Sequence, residues 1–263
     1  MITTHLKRKG EKMLKFKHSG NAGDIIYSLN AIKQVCDIND TQAVLYLDLN
    51  VPIKGILPGH PVGNVMLNEY MYKNLRPLLL YCSFISDVMV YDKQKIDYDL
   101  DKFRQIGLNL GAGDIKKWYY YAYPEMIFDV EGPIFEFNNK KEDYIVINRT
   151  NRYQNGQIDY SILNEYNNQK LFAGTKDEYQ AMKKTIASIE YLEVKDFLEL
   201  AHYIDKSKVF IGNQSMCFAI AEQLQTQRIL EICFFCPNVI PIGGEFYDVF
   251  NQNGLEQAIK KLI

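Results

Sequence analysis

Between residues 144 and 232 short apolar runs alternate with helical patterns, and this rhythm leaves few folds open. The runs 144–148, 170–174, 191–194, 209–212 and 228–232 are rich in β-branched and aromatic residues, and helical spacing fills 177–188, 197–205 and 215–224. Strands separated by helices pair in parallel through crossovers, so this stretch reads as a doubly wound half. No repeat of 20–50 residues interrupts it, which argues against a solenoid.

The opening of the chain carries a shorter version of the same rhythm. A strand over 13–17 runs into the small-residue loop His18-Ser-Gly-Asn-Ala-Gly23, and a helix follows from Asp24, with Ile25, Leu29, Ile32 and Cys36 at helical spacing. A strand over 44–47, an amphipathic stretch over 70–85 and a strand over 87–91 continue it. The polar segment from Phe137 to Asp143 offers little to bury and reads as a linker. The expected organisation is an α/β chain with a Rossmann-like domain over 1–142 and a second over 143–263. A length of 263 residues allows two such cores, and 47% hydrophobic against 24% charged residues is the balance of a chain that folds.

Composition narrows the partners. A net charge of −2 supplies no global field for nucleic acid. Locally, Lys7, Arg8, Lys9, Lys12, Lys15 and Lys17 face only Glu11 within residues 1–17. That segment is either a solvated leader or an electrostatic foot on an anionic membrane, where each basic residue contributes about 1 kcal/mol. No apolar run reaches the 18 residues of a membrane span, and no apolar core follows the charged start as in a signal peptide. The expected location is the cytoplasm, with peripheral contact at the inner face of the membrane as the variant. Of five cysteines only Cys233 and Cys236 have CxxC spacing; without a second pair or a nearby histidine they read as buried thiols, and no metal site is expected.

Three strand-to-helix junctions can carry chemistry, because open α/β sheets bind ligands at the carboxyl ends of their strands. The first is Gly20-Asn21-Ala22-Gly23-Asp24, whose glycines allow positive φ or close approach and whose aspartate is either a helix cap or a functional acid. It lacks the glycine pattern of dinucleotide binders and the lysine of a P-loop, which weakens an NAD(P)-dependent reading. The second is Asn148-Arg149-Thr150-Asn151-Arg152, where two guanidinium groups suit a diphosphate. The third is Asn213-Gln214-Ser215, where the opening turn of a helix favours an anion. Gly174, Thr175 and Glu231 complete the polar edge, with Glu231 suited either to ribose hydroxyls or to a salt bridge with Arg228 or Lys208. Trp118-Tyr-Tyr-Tyr121 and Tyr123 either stack on a sugar ring or pack within a helix.

Taken together, Gly23-Asp24-Ile-Ile-Tyr-Ser-Leu29, Leu171 to Thr175, Phe197 to Ala201, Val209 to Ser215, Ala221 to Leu224 and Arg228-Ile-Leu-Glu231 resemble glycosyltransferase family 9, the heptosyltransferase-like enzymes. The resemblance implies a GT-B fold, two Rossmann-like halves facing a cleft. It implies inverting, metal-independent transfer from a nucleotide-diphosphate sugar to a glycan or lipid-linked acceptor, in lipopolysaccharide or other glycan biosynthesis. Asp24 is then the base, with Gly20, Asn21 and Gly23 in the acceptor-side loop. The donor is held by Asn148, Arg149, Arg152, Gly174, Thr175, Asn213, Gln214, Ser215 and Glu231. Where that family has Asp-Ser-Gly-Pro-Met-His, this chain has Gln214-Ser-Met-Cys-Phe-Ala219. A catalytically degenerate nucleotide-sugar or glycan binder is therefore the alternative.

Overall fold

A computed structural model describes residues 13–53, 60–128 and 132–263; most of the basic opening segment lies outside these residues. Two parallel sheets organise them. The first takes β1 (Leu14–His18), β2 (Ala43–Leu47), β3 (Ile85–Val90) and the short β4 (Tyr98–Asp99) in the order β3-β2-β1-β4. Every residue of β2 is buried, as expected of a strand covered on both faces.

Helices α1 (Ala22–Tyr27), α2 (Leu29–Ile38), α3 (Glu69–Leu80) and α4 (Ile115–Ala122) accompany this sheet. The helix expected from Asp24 is two: between α1 and α2, Ser28 turns its hydroxyl back to the Ile25 carbonyl at 2.7 Å. Helix α3 starts at Asn68, whose side chain accepts from Met71 N. Helix α4 buries Trp118, Tyr119 and Tyr120 and leaves Tyr121 outside, so three of the four consecutive aromatics pack.

The second sheet has the order β10-β9-β8-β5-β6-β7, all parallel, built from β5 (Tyr144–Asn148), β6 (Gln169–Phe172), β7 (Glu190–Tyr191), β8 (Val209–Asn213), β9 (Arg228–Glu231) and β10 (Phe246–Val249). Its helices are α5 (Lys176–Thr185), α6 (Phe197–Lys206), α7 (Met216–Leu224) and α8 (Gln252–Leu262). Side chains alternate across this sheet. Ile145, Ile147, Val209 and Ile211 meet Met182 of α5 and Leu255 and Ile259 of α8 on one face. Val146 and Phe210 point the other way, towards α6 and α7.

That second apolar layer does not stop at the sheet. It is continuous with Phe16 and Leu45 of the first sheet and with Ile25 and Leu29 of its helices, so one core joins both halves. Helix α7, buried from Cys217 to Leu224, is the shared element. Its polar residues are all engaged. Gln223 donates to the Ile26 carbonyl at 2.9 Å and to Asn30 Oδ1 at 2.7 Å, while its own carbonyl accepts from Ile134 N. Glu222 takes Lys116 Nζ at 2.7 Å and Arg228 Nε at 2.8 Å, and Lys116 also reaches the Ile240 carbonyl. Buried charges persist when paired and hydrogen-bonded in this way.

Candidate active site

The carboxyl ends of both sheets face one cleft of about 640 Å³. The first wall begins where β1 ends. The Gly20 N–H donates to His18 Nδ1 at 2.8 Å, which leaves the ring proton on Nε2. Nε2 therefore donates to the Tyr119 hydroxyl (3.1 Å), and that hydroxyl donates to the Asp24 carbonyl at 2.6 Å. Complete burial holds the His18 imidazole below its ordinary value, in keeping with the neutral ring. Asp101 lies 3.5 Å from the same Nδ1, but its Oδ1 accepts from Ser19 N, and the shorter Gly20 bond decides the tautomer.

Asp24 sits in the first turn of α1. Its carboxylate accepts from Arg104 Nη2 at 3.0 Å, while the helix is preceded by Asn21, which makes no side-chain cap. The capping role open to Asp24 in the sequence is thus replaced by an ion pair. Neither Gly20 nor Gly23 takes a positive φ. At Gly20 the requirement is space, since a Cβ there would lie 2.6 Å from the His18 ring and 2.9 Å from Asp24 Oδ2. Gly23 faces Met216 of α7 with room to spare, its nearest neighbour being 3.6 Å away.

The opposite wall comes from the second sheet. Ser215 caps α7 by accepting from Phe218 N at 3.0 Å, so the opening turn of that helix points into the cleft beside Gln214. Thr175 and Glu178 form a capping box at the start of α5, and the Gly174 carbonyl accepts from the Tyr191 hydroxyl. Asn148, Thr150 and Arg152 line the cleft together with Gln214. Asn148 Oδ1, Thr150 Oγ1, Arg152 Nε and Gln214 Oε1 are buried without a hydrogen-bond partner. Buried polar atoms in folded proteins are normally satisfied, so these four, with the Tyr27 hydroxyl and His60 Nδ1 of the same cleft, are atoms that a bound polar molecule can satisfy. Cys217 also lines the cleft, but burial pushes its thiol up to about 12, which removes it as a nucleophile.

The structure thus gathers Asn21, Gly23, Asp24, Asn148, Arg152, Gly174, Thr175, Gln214 and Ser215 around one cavity. It does not bring Arg149, Asn213, Glu231 or Gly20 there. Arg149 forms a two-pronged pair with Glu231, Nε to Oε2 at 2.8 Å and Nη2 to Oε1 at 2.9 Å, over the ring of Tyr160. Glu231, 1% exposed, also accepts from Asn155 N. Buried in these bonds, Glu231 does not line the cleft, and its partner is neither Arg228 nor Lys208. Asn213 exchanges two hydrogen bonds of 2.8 Å with the Thr150 backbone and staples the ends of β5 and β8. Sequence reasoning missed Arg104, which meets the Asp24 carboxylate, and His18, which is linked to the Asp24 backbone through Tyr119, a residue read only as one of the aromatic run over 118–121.

No cysteine is bonded to another, and among the described residues no group of three or more His, Cys, Asp or Glu is placed to hold a metal ion. No helix of the described residues is long and apolar enough to cross a membrane.

No protein-family model matches the sequence, and no curated protein does so either. Solved structures do match it by shape. A glycosyltransferase family 9 protein from Veillonella parvula superposes with a TM-score of 0.61 at 9% identity, covering 96% of this chain and 90% of that one. The E. coli heptosyltransferase WaaC with ADP gives 0.59 at 9% identity, covering 95% and 97%. E. coli ADP-heptose LPS heptosyltransferase II gives 0.53 at 12%, covering 95% and 98%. Two parallel sheets meeting at their carboxyl ends, superposable over nearly the whole chain on these enzymes, give this protein the α/β GT-B fold of the heptosyltransferase-like glycosyltransferases.

Proposed function

We propose that this protein transfers a sugar from a nucleotide-diphosphate sugar to a glycan or glycolipid acceptor, with inversion and without an obligatory metal. The observation that carries the reading is the convergence, in one cleft, of Asp24, Arg152 and the opening turn of α7, which packs against Gly23 beside that acid. In an inverting transfer the acceptor hydroxyl attacks the anomeric carbon from the side opposite the departing diphosphate. Asp24 accepts the hydroxyl proton as the new bond forms. Arg104 positions its carboxylate, and the Tyr119 hydroxyl fixes the backbone on which it rides. On the far side, negative charge gathers on the leaving diphosphate, where Arg152, the free N–H groups of α7 and Thr150 receive it. The ADP bound by the structurally similar WaaC supports a nucleotide-linked donor.

The test is Asp24→Asn. A positioned general base typically contributes about 10²–10⁴-fold, so turnover is expected to fall at least about 10² while nucleotide affinity, set by the other wall, stays nearly unchanged. Full activity in this variant sinks the base assignment.

A second reading, a binder without catalysis, is favoured by Gln214, which stands where the resembling family has an acid and donates to the Cys236 carbonyl and to Asn238 Oδ1. Tight nucleotide binding with no turnover in any substrate pair selects it. A cytoplasmic site of action, with peripheral membrane contact through the basic residues of 1–17, belongs to the same proposal. Lys17 is already paired with Asp99 and Asp101 and has no free charge to give that contact, whereas Lys15 is exposed.

A further inference from the structure

The two walls of the cleft differ in chemistry. The donor wall carries Arg152 and Lys176 together with Glu178 and Glu193, whereas among the described residues the acceptor wall includes no lysine or arginine. Apart from tyrosine hydroxyls, its ionisable groups are Asp24, whose charge Arg104 already meets, and His60, which burial and the nearby Arg152 hold below the ordinary imidazole range.

What this wall offers is uncharged hydrogen bonding in both directions. Asn68 commits its Oδ1 to Met71 N and keeps a free amide donor group. Asn21 Oδ1 is paired with His60 Nε2 at 2.8 Å, which again leaves the donor end. Asn74 does the reverse, donating to the Tyr70 carbonyl at 2.8 Å and keeping its Oδ1 as an acceptor. Tyr27, 3% exposed, lines the cleft with a hydroxyl that has no partner, and Tyr70 presents a ring that is 69% exposed. Amide groups free as donor and acceptor match hydroxyls, which act in both roles, and a tyrosine ring covers the apolar face of a sugar. A phosphate or carboxylate placed here finds no free cation among the described residues of this wall, because Arg104 is committed to Asp24, and an anion taken out of water without a counter-charge is disfavoured.

Resting on the transferase reading above, the geometry points to an uncharged, hydroxyl-rich sugar as the group that presents the attacking hydroxyl, in preference to a phosphorylated or carboxylated one. Tyr27, Asn68 and Asn74 are its recognition residues, and Tyr70 is its stacking platform. The test is saturation-transfer NMR on the full chain in the presence of ADP or UDP, comparing methyl glycosides of glucose, galactose and mannose with glucuronate and glucose 6-phosphate. Neutral glycosides are expected to receive saturation and to bind at least fivefold more weakly in Tyr27→Phe and in Asn68→Asp, which keeps the helix cap and removes the amide donor. Preferential binding of the anionic sugars, neutral binding unchanged in both variants, or no neutral glycoside bound at all overturns the proposal. Nucleotide binding is read in the same samples: if a nucleoside diphosphate binds and the neutral sugars do not, this inference falls alone. If the sugars bind and no nucleotide does, the transferase reading falls instead.

Discussion

Two arginines three positions apart have opposite fates. Arg149 leaves β5 towards the buried Glu231, while Arg152 turns into the cleft with its Nε unpaired. Arg149→Ala strands a carboxylate that is 1% exposed, and breaking a buried pair from one side typically costs about 3–5 kcal/mol. The expected outcome is a large drop in melting temperature. Arg152 makes no ion pair among the described residues, so Arg152→Ala is expected to melt near wild type and to bind a nucleoside diphosphate at least about tenfold more weakly, as read by calorimetry. Unchanged affinity in Arg152→Ala removes the loop from the site. The two residues look alike in the sequence, because which of them faces a cavity depends on Glu231 and Tyr160, contributed by distant segments. His18 offers a pH test. Its imidazole is held below the unfolded value of about 6.5 by burial, so protons favour the unfolded chain. Stability is therefore full above that value and falls as pH drops through it. Melting curves between pH 7.5 and 5.5 should show this decline, with a shallower slope in His18→Asn.

At the scale of elements, the loop from β1 into α1 separates two glycines that a motif reading treats alike. Gly20→Ala drives a methyl group into the His18 ring and the Asp24 carboxylate, so both activity and melting temperature are expected to fall. Gly23→Ala meets ordinary contact distances inside a helix, where alanine is favoured over glycine by about 0.5–1 kcal/mol, and should be silent or slightly stabilising in a thermal melt. The principal strands and helices were legible because their apolar residues follow periods of two or 3.6. What escaped was the two-residue β4, the β10–α8 pair that closes the chain, and the 3-10 turns over 100–105 and 160–165. The first of those turns carries Arg104 to Asp24, so the acid was legible in the sequence and the residue that orients it was not. Strand β7 is also shorter than its apolar run, in register with β6 through Glu190 and Tyr191 and ending on a Leu192 N–H bond to the Phe172 carbonyl; Leu192 to Val194 line the cleft.

For the whole molecule, the polar stretch before β5 reads as a linker, yet the apolar core runs on from one sheet to the other through α7. Halves that share a core and buried hydrogen bonds unfold together, so calorimetry and circular dichroism should report one coincident transition. Two resolved transitions overturn that expectation. Gln223 sets the terms: replacing it with Leu leaves the Ile26 carbonyl without its side-chain donor and should lower the melting point of both halves at once. The same side chain bears on how such a protein can be recombined. Grafting a second half from another protein of this fold is workable only when each half carries its own complete interior, and here the second half presents a glutamine fitted to one backbone carbonyl and one asparagine of the first. A chimera cut between the sheets inherits an unmatched surface on both sides of the cut, so changing what the cleft accepts calls for grafting loops around Arg152 and Thr175 while α1, α4 and α7 travel together.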